Sequence, residues 1–269
     1  MSSTGFQWIK GAGDIGSAVA HLMRSSGLRP ILCEGPAPVV SRRRMSLASA
    51  VYEREAQLEG LRGVRCASLP SAMECLDEPG CIPVLVWEAE GAVAPGAPEV
   101  VVDARMRKKQ QAPAQLHEAP LVIGIGPGFA AGEQVHGVVE TNWGDELGRV
   151  IWQGSALSYT GQHRVVEGHG KDRYVYAPLP GAFFTELDVL DMVKAGQVVG
   201  RVGDTPLTAP IDGILKGLAH GGIAVAEGAK LVEVEPRGEA RFCIGIGERP
   251  GRIADGVVQA IREKMPHLF

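Results

Sequence analysis

Short apolar runs alternate with stretches of helical spacing through the first half of the chain. Phe6 to Lys10 is extended in character and is followed by Gly11-Ala12-Gly13-Asp14-Ile15-Gly16. Ile15, Val19, Leu22 and Met23 then recur one helical turn apart, and Gly27 is placed to end that helix. Pro30 to Glu34 predicts a second strand, so the chain opens strand–helix–strand. Ser46 to Leu58 predicts a helix, and Ser71-Ala72-Met73-Glu74 predicts a capping box in which Ser71 and Glu74 satisfy the first free amides. Ile82 to Trp87, Val100 to Asp103 and Leu121 to Ile125 are apolar without alternation, as strands buried on both faces are. Val135 to Thr141, Arg149 to Trp152 and Phe242 to Ile246 also predict strands. Ile253, Val257, Val258 and Ile261 mark one apolar face of a final helix. Alternating strands and helices predict an α/β layer fold.

Residues 174–236 carry an internal repeat. Ala177-Pro178-Leu179-Pro180-Gly181 with Val193-Lys194-Ala195-Gly196 returns as Ala209-Pro210-Ile211-Asp212-Gly213 with Val225-Ala226-Glu227-Gly228, at one offset of 32 residues. A repeated unit of this kind does not bury its apolar face alone. The pattern resembles the biotinyl/lipoyl carrier fold, a barrel-sandwich of two interlocked halves. A carrier needs an exposed lysine just before the second Ala-Pro, and Gly203-Asp204-Thr205-Pro206-Leu207-Thr208 has none, so neither covalent biotin nor covalent lipoate is expected. The predicted organisation is a first domain over 1–152, a polar linker over 153–173, the β module over 174–236, and 237–269 returning to the first domain.

Composition narrows the classes. The 269 residues are 45% hydrophobic and 22% charged, as in an ordinary globular chain. A net charge of −4 gives no general support to nucleic-acid binding. No apolar run reaches the length of a membrane span, and no secretory series opens the sequence, so no membrane partner is expected. Five cysteines without a C-x-x-C pair fit a reduced, cytoplasmic location.

The chemistry-bearing features are glycine turns at strand ends. Gly11-x-Gly13-x-x-Gly16 lies between a predicted strand and helix, where a Rossmann-like fold binds a dinucleotide. Gly11 makes the turn, Gly13 admits a pyrophosphate, and Gly16 lets helix and strand meet. Glu34 ends the next strand, placed to accept from ribose hydroxyls. Lys10 and Asp14 are unusual neighbours for such a site. Gly124-Ile125-Gly126-Pro127-Gly128 is a second turn, whose amides suit an anion nest. Asp103 ends another strand near Arg105, and Arg42-Arg43-Arg44 and Arg107-Lys108-Lys109 offer cations for phosphate- or molybdate-type anions. The expected ligand contacts are therefore Gly11, Gly13, Asp14, Gly16, Glu34, Asp103, Gly124, Gly126 and Gly128. His136 and Glu140 share a strand face and form a candidate acid–base or metal pair, which His163 and His169 join only through folding. Two ligands do not make a metal site, and no metal is expected.

At this point the whole chain resembles a known family, the accessory proteins that accompany selenium-dependent molybdenum hydroxylases in bacteria. The likeness is carried by Ile9-Lys10-Gly11-Ala12-Gly13-Asp14, Arg42-Arg43, Ala50-Val51-Tyr52-Glu53, Ile82-Pro83-Val84-Leu85-Val86 and Val101-Val102-Asp103-Ala104. It continues through Ala119 to Gly124, Gly126-Pro127-Gly128-Phe129, Val135-His136, Glu140-Thr141-Asn142 and Gly148-Arg149-Val150-Ile151 to the repeats. Where the family has Asp-Leu-Ala this chain has Asp14-Ile15-Gly16. The resemblance implies maturation or cofactor supply of a molybdenum hydroxylase, with that enzyme or its maturation machinery as partner. The ligand expected from the glycine turns is a small anion, either a dinucleotide or a molybdopterin-type compound, and a homo-oligomer is compatible with this reading. The resemblance assigns no catalytic residue. An NAD(P)-linked oxidoreductase using His136 or Asp103, and a non-catalytic scaffold, are the alternatives.

Overall fold

The computed structural model describes residues 5–87, 96–107 and 111–269; Lys108 and Lys109 lie outside them. The chain forms two compact units. The first comprises Met1–Pro36, Ser46–Thr160 and Ile246–Phe269; the second comprises Ala37–Met45 and Gly161–Gly245.

The first unit opens with β1 (Gln7–Lys10), α1 (Asp14–Ser25) and β2 (Pro30–Glu34). The short α2 (Ala50–Glu53) leads into β3 (Glu55–Leu58) and β4 (Leu61–Cys66). Then come α3 (Leu69–Asp77), β5 (Cys81–Val86), β6 (Val100–Asp103), β7 (Leu121–Ile125), β8 (Ala130–Ala131), β9 (Gly137–Val139), β10 (Val150–Ile151) and β11 (Gly154–Ser155). A nine-stranded sheet runs β10-β9-β7-β6-β1-β2-β5-β4-β3. Its interior pairs from β9 to β4 are parallel, and both outer pairs are antiparallel. The direction of strand addition reverses beside β1, which lies between β2 and β6.

The continuous apolar runs fit this position. Trp8, Ile9, Ile31, Leu32, Ile82, Leu85, Val101, Val122 and Ile123 are almost wholly buried, as strands covered on both faces require. The last helix, α4 (Glu248–Lys264), packs on α1 and buries Ile253, Val257, Val258 and Ile261. Burial of each such side chain stabilises the fold by about 1.5–3 kcal/mol.

Three local expectations are corrected. Ser46 to Leu58 is not one helix. Arg54 adopts φ 70° after α2, and Glu59-Gly60 turns with φ 46° and 80°, so β3 and β4 form a hairpin that helical spacing had hidden. The α3 cap is Ser68, whose side chain accepts from the Ser71 amide while Ser71 answers the Ser68 amide; the box lies three residues earlier than Ser71 and Glu74. Phe242 to Ile246 is not a strand, because Ala240–Phe242 takes a 3-10 turn.

The second unit holds β12 (Tyr174–Tyr176), β13 (Gly181–Phe184), β14 (Met192–Val193), β15 (Val198–Val202), β16 (Thr205–Thr208), β17 (Gly213–Leu218), β18 (Ala224–Val225) and β19 (Lys230–Glu235). Two four-stranded antiparallel sheets run β12-β19-β17-β14 and β16-β15-β13-β18. The 32-residue offset carries β13, β14 and β15 onto β17, β18 and β19, and maps one sheet order onto the other. The short β14 pairs with β17 of the other copy, and β18 pairs with β13. Each copy completes the other's sheet, which is the physical reason for the repeat.

Candidate functional site

The carboxyl end of β1 sits at the reversal point of the large sheet, where open α/β sheets gather ligands. Lys10 and Asp103 are register partners there. The turn beyond β1 brings Gly11 to φ 97° and leads into α1, whose N-cap is Gly13. Gly16 lets the helix approach: a Cβ on it would overlap the Gly11 carbonyl oxygen. Gly13 differs. A Cβ there would meet nothing within 4 Å, so space stands open above the turn.

The amides around that space are partly engaged. Glu34 Oε2 accepts from the Ala12 amide at 2.8 Å and Oε1 from Gly35 at 2.9 Å. Asp14 Oδ1 accepts from the Ile15 amide at 3.0 Å. Two carboxylates thus hold positions at the start of α1 that the sequence assigned to a phosphate.

Behind the turn lies a buried polar network, and it accounts for Lys10. Its ammonium donates to Gln115 Oε1 and Glu118 Oε1, each at 2.7 Å. Asp103 is wholly buried and accepts from Arg105 Nε at 2.9 Å, Arg105 Nη2 at 2.5 Å and Gln115 Nε2 at 3.0 Å. Burial alone raises a carboxyl pKa, but the Arg105 guanidinium and Gln115 hold Asp103 below its ordinary value. Arg107 Nε stands 3.9 Å from Asp103 Oδ2 and is buried without a hydrogen bond. Cys33, at the end of β2, is pushed up to about 12 by burial and by Glu34. Arg105 Cγ lies 3.4 Å from where a Gly11 Cβ would sit, so the network reaches the glycine turn.

The second glycine turn is built for packing. A Cβ on Gly124 would overlap the Phe129 ring, and one on Gly126 would stand 2.8 Å from Thr141 Oγ1. The Gly126 amide donates to the Val139 carbonyl at 2.9 Å and is not open to an anion. Gly128 has φ 101°, and its carbonyl accepts from Ala112.

His136 and Glu140 serve the backbone. His136 Nδ1 accepts from the Val122 amide at 2.9 Å. Glu140 is buried and accepts from Thr141, Asn142 and Leu157 amides at 2.7–2.8 Å. His169 pairs with Asp172, and His163 packs on Tyr174. Among the described residues no group of three or more His, Cys, Asp or Glu is arranged to hold a metal.

The arginine run belongs to the second unit. Arg42 forks Glu233, while Arg43 donates to Asp188 and the Leu218 carbonyl. Those cations are committed to protein acceptors, which a run of arginines in sequence does not reveal. An open cavity of about 670 Å³ in the same unit is lined by Glu167, His169, Asp212, Arg237, Glu239 and Arg241, among others. It mixes both signs of charge.

No family model matches the chain. The sequence is 36% identical over 253 residues to the uncharacterized protein YqeB of Escherichia coli strain K12. That match takes in 94% of this chain and 46% of the relative, so the chain spans about half the relative's length. A solved succinylglutamatedesuccinylase/aspartoacylase from Rhodobacter sphaeroides is similar over 24% of this chain and 23% of its own, at 30% identity and a TM-score of 0.21. The apo ectoine utilization protein EutE (DoeB) from Ruegeria pomeroyi is similar over 86% of each chain, at 10% identity and a TM-score of 0.26. At those scores neither likeness bears on this chain's chemistry. No helix among the described residues is long and apolar enough to cross a membrane.

Proposed function

We propose that this chain is an accessory factor in maturation or cofactor supply of a selenium-dependent molybdenum hydroxylase, and that it binds a nucleotide or an anionic cofactor precursor at the β1–α1 turn. The family resemblance supports the biological role. The open space over Gly13 at the reversal point of the sheet carries the binding reading. In this reading the first unit is Rossmann-like and the second is a biotinyl/lipoyl-like barrel-sandwich that docks a partner without carrying a prosthetic group.

The residues present fit one part of a nucleotide better than another. Glu34 is an acceptor, suited to ribose hydroxyls and opposed to a phosphate on the same sugar. A phosphate at the start of α1 has Gly13's open side, with Arg105 next to Gly11, but has to share the site with Asp14 and Glu34. The fitting ligand therefore carries an unphosphorylated ribose.

The test is mass spectrometry of small molecules released from the purified chain, followed by titration calorimetry with NAD⁺, NADP⁺ and whatever species is released. Binding that prefers NAD⁺ to NADP⁺ and weakens at least tenfold in Gly13→Val supports the site. Affinity unchanged by Gly13→Val removes it, and absence of any nucleotide or pterin ligand removes the binding function.

A further inference from the structure

The two sheets of the second unit repeat one another, yet their outer faces carry opposite charge. The 32-residue offset places Arg201 where the other copy has Glu233, Phe184 where it has Lys216, and Val198 where it has Lys230. The strand partners follow the same offset. Arg201 stands opposite Pro206, as Glu233 stands opposite Tyr174.

The chain itself covers the face of Glu233. The Ser41 carbonyl accepts from the Leu218 amide at 2.7 Å, and a Cβ on Gly217 would stand 3.1 Å from Ser41 Oγ. The next residue, Arg42, forks Glu233 at 2.8 and 2.9 Å, and Arg173 Nη1 adds a contact at 3.3 Å. Glu233 is wholly buried under these cations, which is what lets a carboxylate leave water.

The face of Arg201 stays open. Along β13, Phe183 is wholly buried and Phe184 is 40% exposed, so Phe184 and its register partner Arg201 look outward. Val198 is 57% exposed, and Arg201, Pro206 and Thr208 are exposed with it. Arg201 is nonetheless held in place. Its guanidinium carbon lies 4.4 Å from the centre of the Phe184 ring, and Nη1 donates to the Gly203 carbonyl at 2.6 Å. Its Nε and Nη2 have no partner among the described residues. With that edge Arg42 and Arg237 each fork a glutamate in this same unit. A guanidinium already fixed by packing loses little freedom when it binds.

On one face a covering segment brings cations to an acid. On the other the sheet supplies the cation, so the matching segment brings the acid, with apolar neighbours for Phe184 and Val198. We propose that the outer face of the β16-β15-β13-β18 sheet docks a segment of a partner protein in which an Asp or Glu stands between apolar residues, the carboxylate forked by Arg201. This rests on the reading of the second unit as a docking module and is independent of the glycine turn.

Titration of the full chain with a capped synthetic peptide whose central glutamate lies between valines, followed by amide NMR signals, tests it. Saturable shifts confined to β13 and β15 are expected, with none from a twin peptide carrying lysine at the centre. Arg201→Gln weakens binding at least tenfold, and Arg201→Glu takes the lysine twin instead. Equal response to both peptides, shifts located elsewhere, no shift at all, or affinity unchanged in Arg201→Gln overturns the inference. So does a dimer of the chain that Arg201→Glu dissociates, since a second copy would then be the occupant. Cross-linking the full chain to a purified molybdenum hydroxylase separates this inference from the reading beneath it. Links from β13 and β15 support both; links elsewhere in the second unit overturn this face alone; absence of links to the second unit overturns the docking reading with it.

Discussion

Gly13 and Gly16 are three residues apart in one motif, yet the structure gives them opposite duties, and a pair of alanine substitutions separates these. Gly16 sits inside α1, where alanine gains about 1 kcal/mol of helix propensity over glycine. Against that, its Cβ would overlap the Gly11 carbonyl oxygen, stand 3.0 Å from the Gly11 carbonyl carbon and 3.5 Å from Ala104 Cβ. Two of those neighbours are backbone of a turn whose amide is bonded to Cys33, so relief requires α1 to lift from β1. Overpacking of this severity costs about 3 kcal/mol or more, the upper end of the usual range. The net loss for Gly16→Ala is therefore about 2 kcal/mol, or a melting temperature lower by roughly 4–8 °C for a unit of this size. Gly13 has φ −64° and open space where its Cβ would sit. Alanine there gains about 0.4–1 kcal/mol from the stiffer unfolded chain and loses a similar amount as a poorer N-cap, leaving a change within about 0.5 kcal/mol. Differential scanning calorimetry of both variants, with urea titration as a second measure, reads the contrast. A Gly16→Ala chain as stable as the parent would refute the close seating of α1 on the turn. A Gly13→Ala chain that loses 2 kcal/mol would refute the open space on which the ligand reading stands.

Two further outcomes follow from the charged groups. Asp103→Asn leaves Arg105 without its carboxylate and is expected to cost about 3 kcal/mol in urea denaturation, as breaking a buried pair does. Because the folded pKa of Asp103 lies below its unfolded value, its contribution is present above about pH 4 and is lost as pH falls through the folded value. The Asn variant should therefore show a shallower acid dependence below pH 4, and an unchanged slope would contradict the pairing. His220 is pushed down to about 4 by burial and by Arg43, so the folded chain favours its neutral ring. Its share of stability is present above the unfolded value near 6.5 and fades as pH falls toward about 4. His220→Gln should flatten the melting temperature between pH 6.5 and 4, and a curve parallel to the parent would count against it.

Much of the architecture was legible because its signals are local. The strands at Pro30–Glu34, Val100–Asp103 and Leu121–Ile125 stand where continuous apolar runs placed them, since burial on both faces demands such runs. The repeat offset predicted paired halves, and it reappears in the strand order of the two sheets. The hairpin of β3 and β4 was not read from the sequence: Gly60 stands in its turn, but the helix before it ends at Arg54, whose φ of 70° no glycine announces. Nor was the membership of residues 37–45 in the second unit, since the partners of Arg42 and Arg43 lie at Glu233, Asp188 and Leu218, far along the chain.

The sequence by itself determined the alternation of elements, the glycine turn between β1 and α1, and the duplication of the β module, all of which depend on neighbours in the chain. Tertiary structure alone decided what the chemistry-bearing side chains touch. It gave Glu34 to the Ala12 amide, Glu140 to three backbone amides and Arg42 to Glu233. A hydrogen bond is fixed by distance and direction in space, and residue type and spacing along the chain specify neither.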